Sequence, residues 1–358
     1  MANYFIKKLI NTFLTLFGVV TVVFFLFHVL PGDPARMMLG QNEDQTQLLS
    51  IKKKYGFDQP LLTQYVYYLN DVSPISFHYN SKDHYTNLSS GHYSYHSLAR
   101  FQNGQLVIKY PYLRQSFTKQ GKNVSQVLSE TLPNTIVLAV SAISLALFLG
   151  LVLGIISALY KDRGIDRVVL VMSTFGMSLP SFFSAILAAW LFGFLWHDFT
   201  GLEMTGNLYE LDDYGEGYSL QLQNLILPAF VLGIRPLAVV SQLMRNALLE
   251  VLGQEYITTA KAKGLSPTKV LWNHALKNAL SPVITAVSGW FASMLAGAVF
   301  VEYVFGWNGL GKEIVNALNT LDLPVIMGAV LVISSIFVTL NILVDLLYVK
   351  LNPKIKLN

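Results

Sequence analysis

Six stretches of this chain are long and apolar enough to cross a bilayer, at residues 9–30, 135–160, 168–196, 225–248, 283–304 and 325–349. A helix rises 1.5 Å per residue and the hydrocarbon layer is about 30 Å thick, so about 20 apolar residues make a span. The predicted fold class is therefore all-α, a polytopic membrane protein with six transmembrane helices. The charge content agrees. Only 13% of the 358 residues are Asp, Glu, Lys or Arg, where a soluble domain carries roughly 25%. The first run, "KKLINTFLTLFGVVTVVFFLFHVLPGDPA", looks like a signal peptide, with Lys7 and Lys8 before it and the small Ala35 after it. Its apolar part of about 22 residues exceeds the 7–15 of a signal h-region, so a retained helix is expected.

Orientation follows from the basic residues close to the span ends. Lys7 and Lys8 precede span one. Lys161, Arg163 and Arg167 lie between spans two and three, Lys261, Lys263, Lys269 and Lys277 between four and five, and Lys350, Lys354 and Lys356 after six. If the spans alternate, all four groups share one face, and both termini are expected in the cytoplasm. The opposite face includes "HDFTGLEMTGNLYELDDYGEGYS", with six acids and no Lys or Arg. The net charge of +4 is thus an orientation signal and not a nucleic-acid footprint. With no cysteine, disulfides, thiol catalysis and Cys-ligated metals are excluded.

The expected organisation is a first transmembrane helix at 1–31, an extracytoplasmic loop at 32–133, a core of five transmembrane helices at 134–350 and a cytoplasmic tail at 351–358. In the loop, Leu48, Leu49, Ile51 and Tyr55 have helical spacing, and Pro60 starts a second helix through Leu69 whose aromatic face suits the membrane interface. A small insert, about 73–110, is rich in Tyr, His and Ser and holds one alternating run, "GQLVIKYPYL", that reads as a strand. His78, His84, His92 and His96 invite a metal reading, but no helical pattern aligns His92 with His96. No metal site is assigned.

Between spans four and five, Met244, Leu248, Leu252, Tyr256 and Ala260 recur every fourth residue, one stripe on a helix. Gly264 should end that helix, with Lys261 and Lys263 favouring its negative pole. Ser266 is a good N-cap and Pro267 a good first residue for a second helix, with Val270, Leu271, His274 and Leu276 on its apolar side. The product is a helical hairpin with small residues Thr259, Ala260 and Gly264 at its tip. It either links two spans or, as its length and small tip favour, enters a partner's groove while its lysines meet an acidic rim.

The stretch "EYITTAKAKGLSPTKVLWNHALKNALSPV" resembles the cytoplasmic loop of bacterial ABC-importer permeases, within them the dipeptide/oligopeptide/nickel subfamily. The general importer pattern of Glu-Ala-Ala, three residues and Gly lands on Thr258, Thr259, Ala260 and Gly264. Further resemblances run along the chain in "LPGDPA", "KYGFDQPLLTQY", "LPNTIVLA", "RNALLEVL" and "FVEYVFGWNGLG". Asn308-Gly309 stands where the family usually has Pro-Gly. The resemblance implies an inner-membrane permease that is not itself an enzyme. It assigns the ATPase-coupling hairpin to Glu255, Tyr256, Thr258, Thr259, Ala260, Lys261, Lys263, Gly264 and Leu265. It further implies a second homologous permease subunit, two ABC ATPase subunits, an extracytoplasmic solute-binding protein and a peptide substrate, with nickel or nickel chelates as the alternative cargo.

No phosphate loop occurs, since Gly121-Lys122 and Gly311-Lys312 are followed by Asn123 and Glu313. ATP is accordingly expected on the partner subunits, and no cofactor on this chain. In the translocation path the candidate is Arg235, a cation near the middle of span four, where insertion costs about +2.5 to +3.5 kcal/mol. It would meet a peptide carboxylate, or pair with an acid or carbonyl of a neighbouring span. His28, Glu302 and Asp345 sit near span ends and read as interfacial anchors. Two other classes compete. An intramembrane protease needs paired acids, Ser with His, or HExxH, none of which occurs; an ion-driven secondary transporter usually gathers several acids at the midplane.

Overall fold

The computed structural model describes residues 2–29, 34–39, 44–81, 84–88, 93–119, 121–211 and 217–351. They form two compact units, one of residues 2–130 with 314–335, the other of 131–313 with 336–358.

The first unit begins with α1 (Ala2–Val29), α2 (Pro34–Leu39), α3 (Gln45–Tyr55) and α4 (Leu61–Val72). Pro60 sits at the N-cap of α4, as its fixed φ favours. The aromatic face of α4 turns onto α1. Phe24 stacks on Tyr68 at 5.6 Å and meets the tilted Tyr65 ring at 5.2 Å, and Thr21 shares a hydrogen bond with the Tyr65 hydroxyl at 2.6 Å. Leu61, Leu62 and Val66 are the exposed apolar side chains of α4, so the expected interfacial face is aliphatic and not aromatic.

The insert is a three-stranded antiparallel sheet in the order β1-β3-β2, made of β1 (Ile75–Tyr79), β2 (Tyr95–Phe101) and β3 (Gly104–Lys109). Only β3 was legible as a strand, so the all-α expectation is corrected here. In β1, alternation buries Ser76 and His78 and exposes Ile75 and Tyr79, the period-2 pattern of a strand with one covered face. Beneath that face lies the Asp71 carboxylate, fully buried. It accepts from Tyr85 and Tyr93 hydroxyls at 2.8 Å each and from Arg114 Nε at 2.9 Å. Lys109 Nζ donates to the Asp71 carbonyl. Arg114 takes φ 66°, a conformation costing a side-chain-bearing residue roughly 1–2 kcal/mol. The ion pair and the Tyr68 and Tyr85 rings 5.3 and 5.6 Å from its guanidinium offset that strain.

In the second unit, α5 (Val124–Leu159) continues from the first unit as a 36-residue helix, about 54 Å long. It exceeds the hydrocarbon layer and extends the predicted span 135–160 by eleven residues at its start. The third predicted span is broken. It comprises α6 (Gly164–Ser178) and α7 (Ser181–Ala188), the latter running on as a π-helix through Ala189–Leu195, with a bend of 109° between the halves. Pro180 forces Leu179 out of the helical region, to ψ 133°. There follow α8 (His197–Thr200), the hairpin β4 (Tyr209–Leu211) and β5 (Tyr218–Leu220), α9 (Ile226–Leu252), α10 (Glu255–Ala262), α11 (Pro267–Lys269), a π-helical turn Val270–Ala275 and α12 (Leu276–Val304). The last two helices, α13 (Leu310–Asn319) and α14 (Leu323–Leu351), are divided between the units, with residues 314–319 and 323–335 in the first. The β4–β5 hairpin lies in the acidic loop; residues 212–216 of that loop and the predicted tail 352–358 lie outside the described residues. Among the described residues, four helices are long and apolar enough to span, or six when each of two bent pairs counts once.

Candidate coupling elbow and translocation cavity

The predicted continuous stripe from Met244 to Ala260 is two helices. α9 stops at Leu252, Gly253 turns the chain, and α10 starts after Gln254 in extended conformation. The break rotates the register, so Tyr256 is half-exposed and Ile257 replaces it in the interior, with no solvent exposure. Ile257 and Ala260 pack into one cluster with Ala158, Met244, Leu248, Val270, Ala275 and Leu276, and Leu265 leans on its edge. Ala260 therefore belongs to the elbow's root, not to its outer tip. Glu255, Thr258, Thr259, Lys261, Lys263 and Gly264 form the exposed side. Tyr256 is tied back, its hydroxyl accepting from Asn278 Nδ2 at 2.8 Å.

The closing turn follows the sequence reading. Gly264 has φ 78° and open space around its α-carbon, so the backbone conformation, and not crowding, requires glycine there. Ser266 Oγ accepts from the Lys269 amide at 3.4 Å, and Pro267 occupies the first turn. α11 passes into the π-turn and then α12, whose root shares the apolar cluster with α10. The elbow is thus anchored by small and branched apolar side chains within, while its outer side presents Lys261 and Lys263 to solvent.

Arg235 is exposed on α9 and lines a cavity with Ser181, Ser184, Trp290 and Ser293. Among the described residues it has no ion pair or hydrogen bond, so the expected pairing with a neighbouring span is not made by any of them. Pro236, buried beside it, leaves the helical carbonyl four residues earlier without its amide. A cation, three hydroxyls and an indole ring around one space can hold a carboxylate and its adjoining amides.

Glu302 is not an interfacial anchor. Its side chain is fully buried, and Oε2 accepts from the Gly311 and Lys312 amides at 2.6 and 3.2 Å, capping the start of α13. Asn308 uses an amide that proline lacks, donating to Asn207 Oδ1 at 2.8 Å. The His28 and Asp345 side chains, and His92, lie outside the described residues. His78 is held by Ser76 Oγ and the Thr86 carbonyl, and His84 by Thr86 Oγ1, while His96 sits on β2, paired with Ile108. His78 and His84 thus both bond Thr86, and His96 stands on another strand.

The family described as binding-protein-dependent transport system inner membrane component matches residues 150–357, and its N-terminal counterpart matches 1–85. The chain belongs to this family. Full-length relatives place the permease in the dipeptide/oligopeptide branch of ABC importers, as a multi-pass component of the bacterial inner membrane. It is 32% identical to the dipeptide transport system permease protein DppB of Bacillus subtilis (strain 168), over 100% of this chain and 99% of that one. It is 33% identical to the probable D,D-dipeptide transport system permease protein DdpB of Escherichia coli (strain K12), over 94% and 93%. A glutathione transport system permease protein, GsiC of Salmonella choleraesuis (strain SC-B67), is 30% identical over 99% of both. These relatives are transport subunits and not enzymes.

Proposed function

We propose that the permease forms half of the translocation pore of an ATP-driven peptide importer and takes its driving force through the elbow from a separate ATPase. The two-sided build of α10 carries this reading. Its inner side chains, Ile257 and Ala260, are locked into the roots of α9 and α12, while its outer side presents Lys261, Lys263 and the Gly264 turn to solvent. A contact surface fixed to two spans is what a lever needs, because nucleotide-driven closure of the motor then biases one packing of those spans over another. The cargo reading rests on the relatives named for dipeptides and glutathione. The partners are a second homologous permease, two ATPase subunits that bind the ATP, and an extracytoplasmic solute-binding protein that delivers the peptide. Both termini face the cytoplasm, as does the elbow, and this chain needs no cofactor of its own.

Arg235 contributes the carboxylate contact within the path. Two measurements test the proposal. A tagged permease co-expressed with its partners should bring down an ATPase subunit in detergent, and lose it on altering the elbow. Arg235→Gln should lower peptide uptake about tenfold, the loss expected for one charge-assisted hydrogen bond. Uphill peptide accumulation by vesicles holding only the two permeases would falsify the motor assignment; unchanged uptake by Arg235→Gln would remove Arg235 from the path.

A further inference from the structure

A second polar assembly lies at the same end of the unit as the elbow. The Asp166 carboxylate, 1% exposed, sits in the first turn of α6 and receives four donors. Oδ1 accepts from Arg245 Nε at 2.7 Å and from Ser157 Oγ, and Oδ2 from Arg245 Nη2 at 2.7 Å and the Asp162 amide at 2.9 Å. Ser157 belongs to the end of α5, Asp162 to the following turn, and Arg245 to α9 two turns before it stops. One carboxylate thereby joins three helices. The fork of an arginine on a carboxylate fixes direction as well as distance. A buried pair of this kind adds little net stability over an apolar substitute, so positional definition is the property it supplies best.

Its surroundings say what it positions. Below the pair, Ala158, Met244, Leu248, Ile257 and Ala260 pack α5, α9 and α10 together. Gly154 lets α5 and α9 meet, since a β-carbon there would lie 2.6 Å from the Ser241 carbonyl. Above it, α6 leads to the break at Leu179 and Pro180, and Leu179, Ser181 and Ser184 wall the cavity that holds Arg235. The apolar cluster ties the elbow to α9, and the ion pair ties α9 to α6.

We infer that Arg245 and Asp166 are positioning residues that carry elbow movement into α6 and so to the cavity wall facing Arg235. This rests on the coupling role proposed above. Displacement of α10 then draws the Ser181 and Ser184 wall along with α9, so the cavity changes shape with the nucleotide state. Without the pair, α9 moves and the wall lags.

The chain contains no cysteine, so spin labels attach to it only where introduced. In the complete importer, labels at Ile165→Cys and Thr259→Cys should keep one separation with and without ATP, while labels at Thr259→Cys and Phe199→Cys should change theirs. In Asp166→Asn, and in Arg245→Lys, which keeps the charge but loses the fork, the second pair should still respond. The first pair should now vary with nucleotide, and peptide transported per ATP hydrolysed should fall about tenfold. Arg245→Lys carries the test if Asp166→Asn fails to assemble. A separation between Ile165 and Thr259 that varies in the parent, or stays constant in both variants, overturns the inference and leaves the coupling role standing. No response at Thr259 and Phe199 overturns both.

Discussion

The Asp71 nest and the elbow are two polar constructions with opposite accounts. In the nest the donors turn inward: two tyrosine hydroxyls and Arg114 Nε converge on one carboxylate, and a lysine on its carbonyl. In the elbow the polar groups of Thr258, Lys261 and Lys263 face solvent, and only the apolar side chains are committed inward. A self-satisfied polar cluster holds a shape, because any group it loses leaves another buried and unpaired. An unsatisfied polar surface on a rigid root is suited to a second molecule. The contrast separates scaffold from contact before any partner is known.

The sharpest test of the difference is at Asp71. Asp71→Ala leaves the Arg114 cation buried without its counter-charge, and a loss of about 3–5 kcal/mol is expected. Limited proteolysis should then cut within 73–110 in the variant and spare the parent. A nest that resists cleavage without its acid is not organised by it.

Gly264→Leu should do the reverse. The left-handed backbone costs roughly 1–2 kcal/mol for a residue with a β-carbon, and nothing lies within 4 Å of a β-carbon added there, so the spans stay folded. The outer surface, however, acquires a bulky group where a partner must approach. Peptide uptake should fall more than about tenfold while the thermal midpoint of the purified protein moves by only a few degrees, read side by side on one preparation. Equal losses of uptake and folding would place Gly264 with the scaffold.

These two regions were not equally legible in the sequence. Gly264, Ser266 and Pro267 act through local backbone preferences, and each takes the conformation its residue type predicts. The stripe failed at Gly253, where a turn resets the register and gives Tyr256's expected place to Ile257; a Gly-Gln pair inside a helical pattern was the available signal. The nest could not be read because Asp71, Tyr85, Tyr93 and Arg114 are brought together by strand pairing across some forty residues, and no local pattern marks that. Nor did spacing join Asp166 to Arg245, 79 positions apart, although two acids, Asp162 and Asp166, among the basic residues between spans two and three were a clue. Arg235 was legible because a charge in an apolar run is costly wherever it ends up.

The smallest expected effect is a pH dependence confined to the nest. Burial beneath the sheet pulls the Lys109 ammonium from 10.5 down to about 8, the Asp71 charge only partly opposing this. Burial also raises the Tyr68 phenol from 10.0 to about 12. Between pH 8 and 10 the unfolded insert therefore holds a proton on Lys109 that the folded one has released, and stability rises with pH. Above pH 10 the sign reverses, since the folded state keeps the Tyr68 proton that the unfolded chain gives up. Amide exchange of β3 should thus slow, relative to its intrinsic rate, from pH 8 to 10 and quicken beyond it, and Lys109→Met should abolish the first limb alone. The elbow's buried side chains are apolar, so exchange in α10 should show neither limb. A matching rise there would mean that the two regions do not differ in how their charges are held.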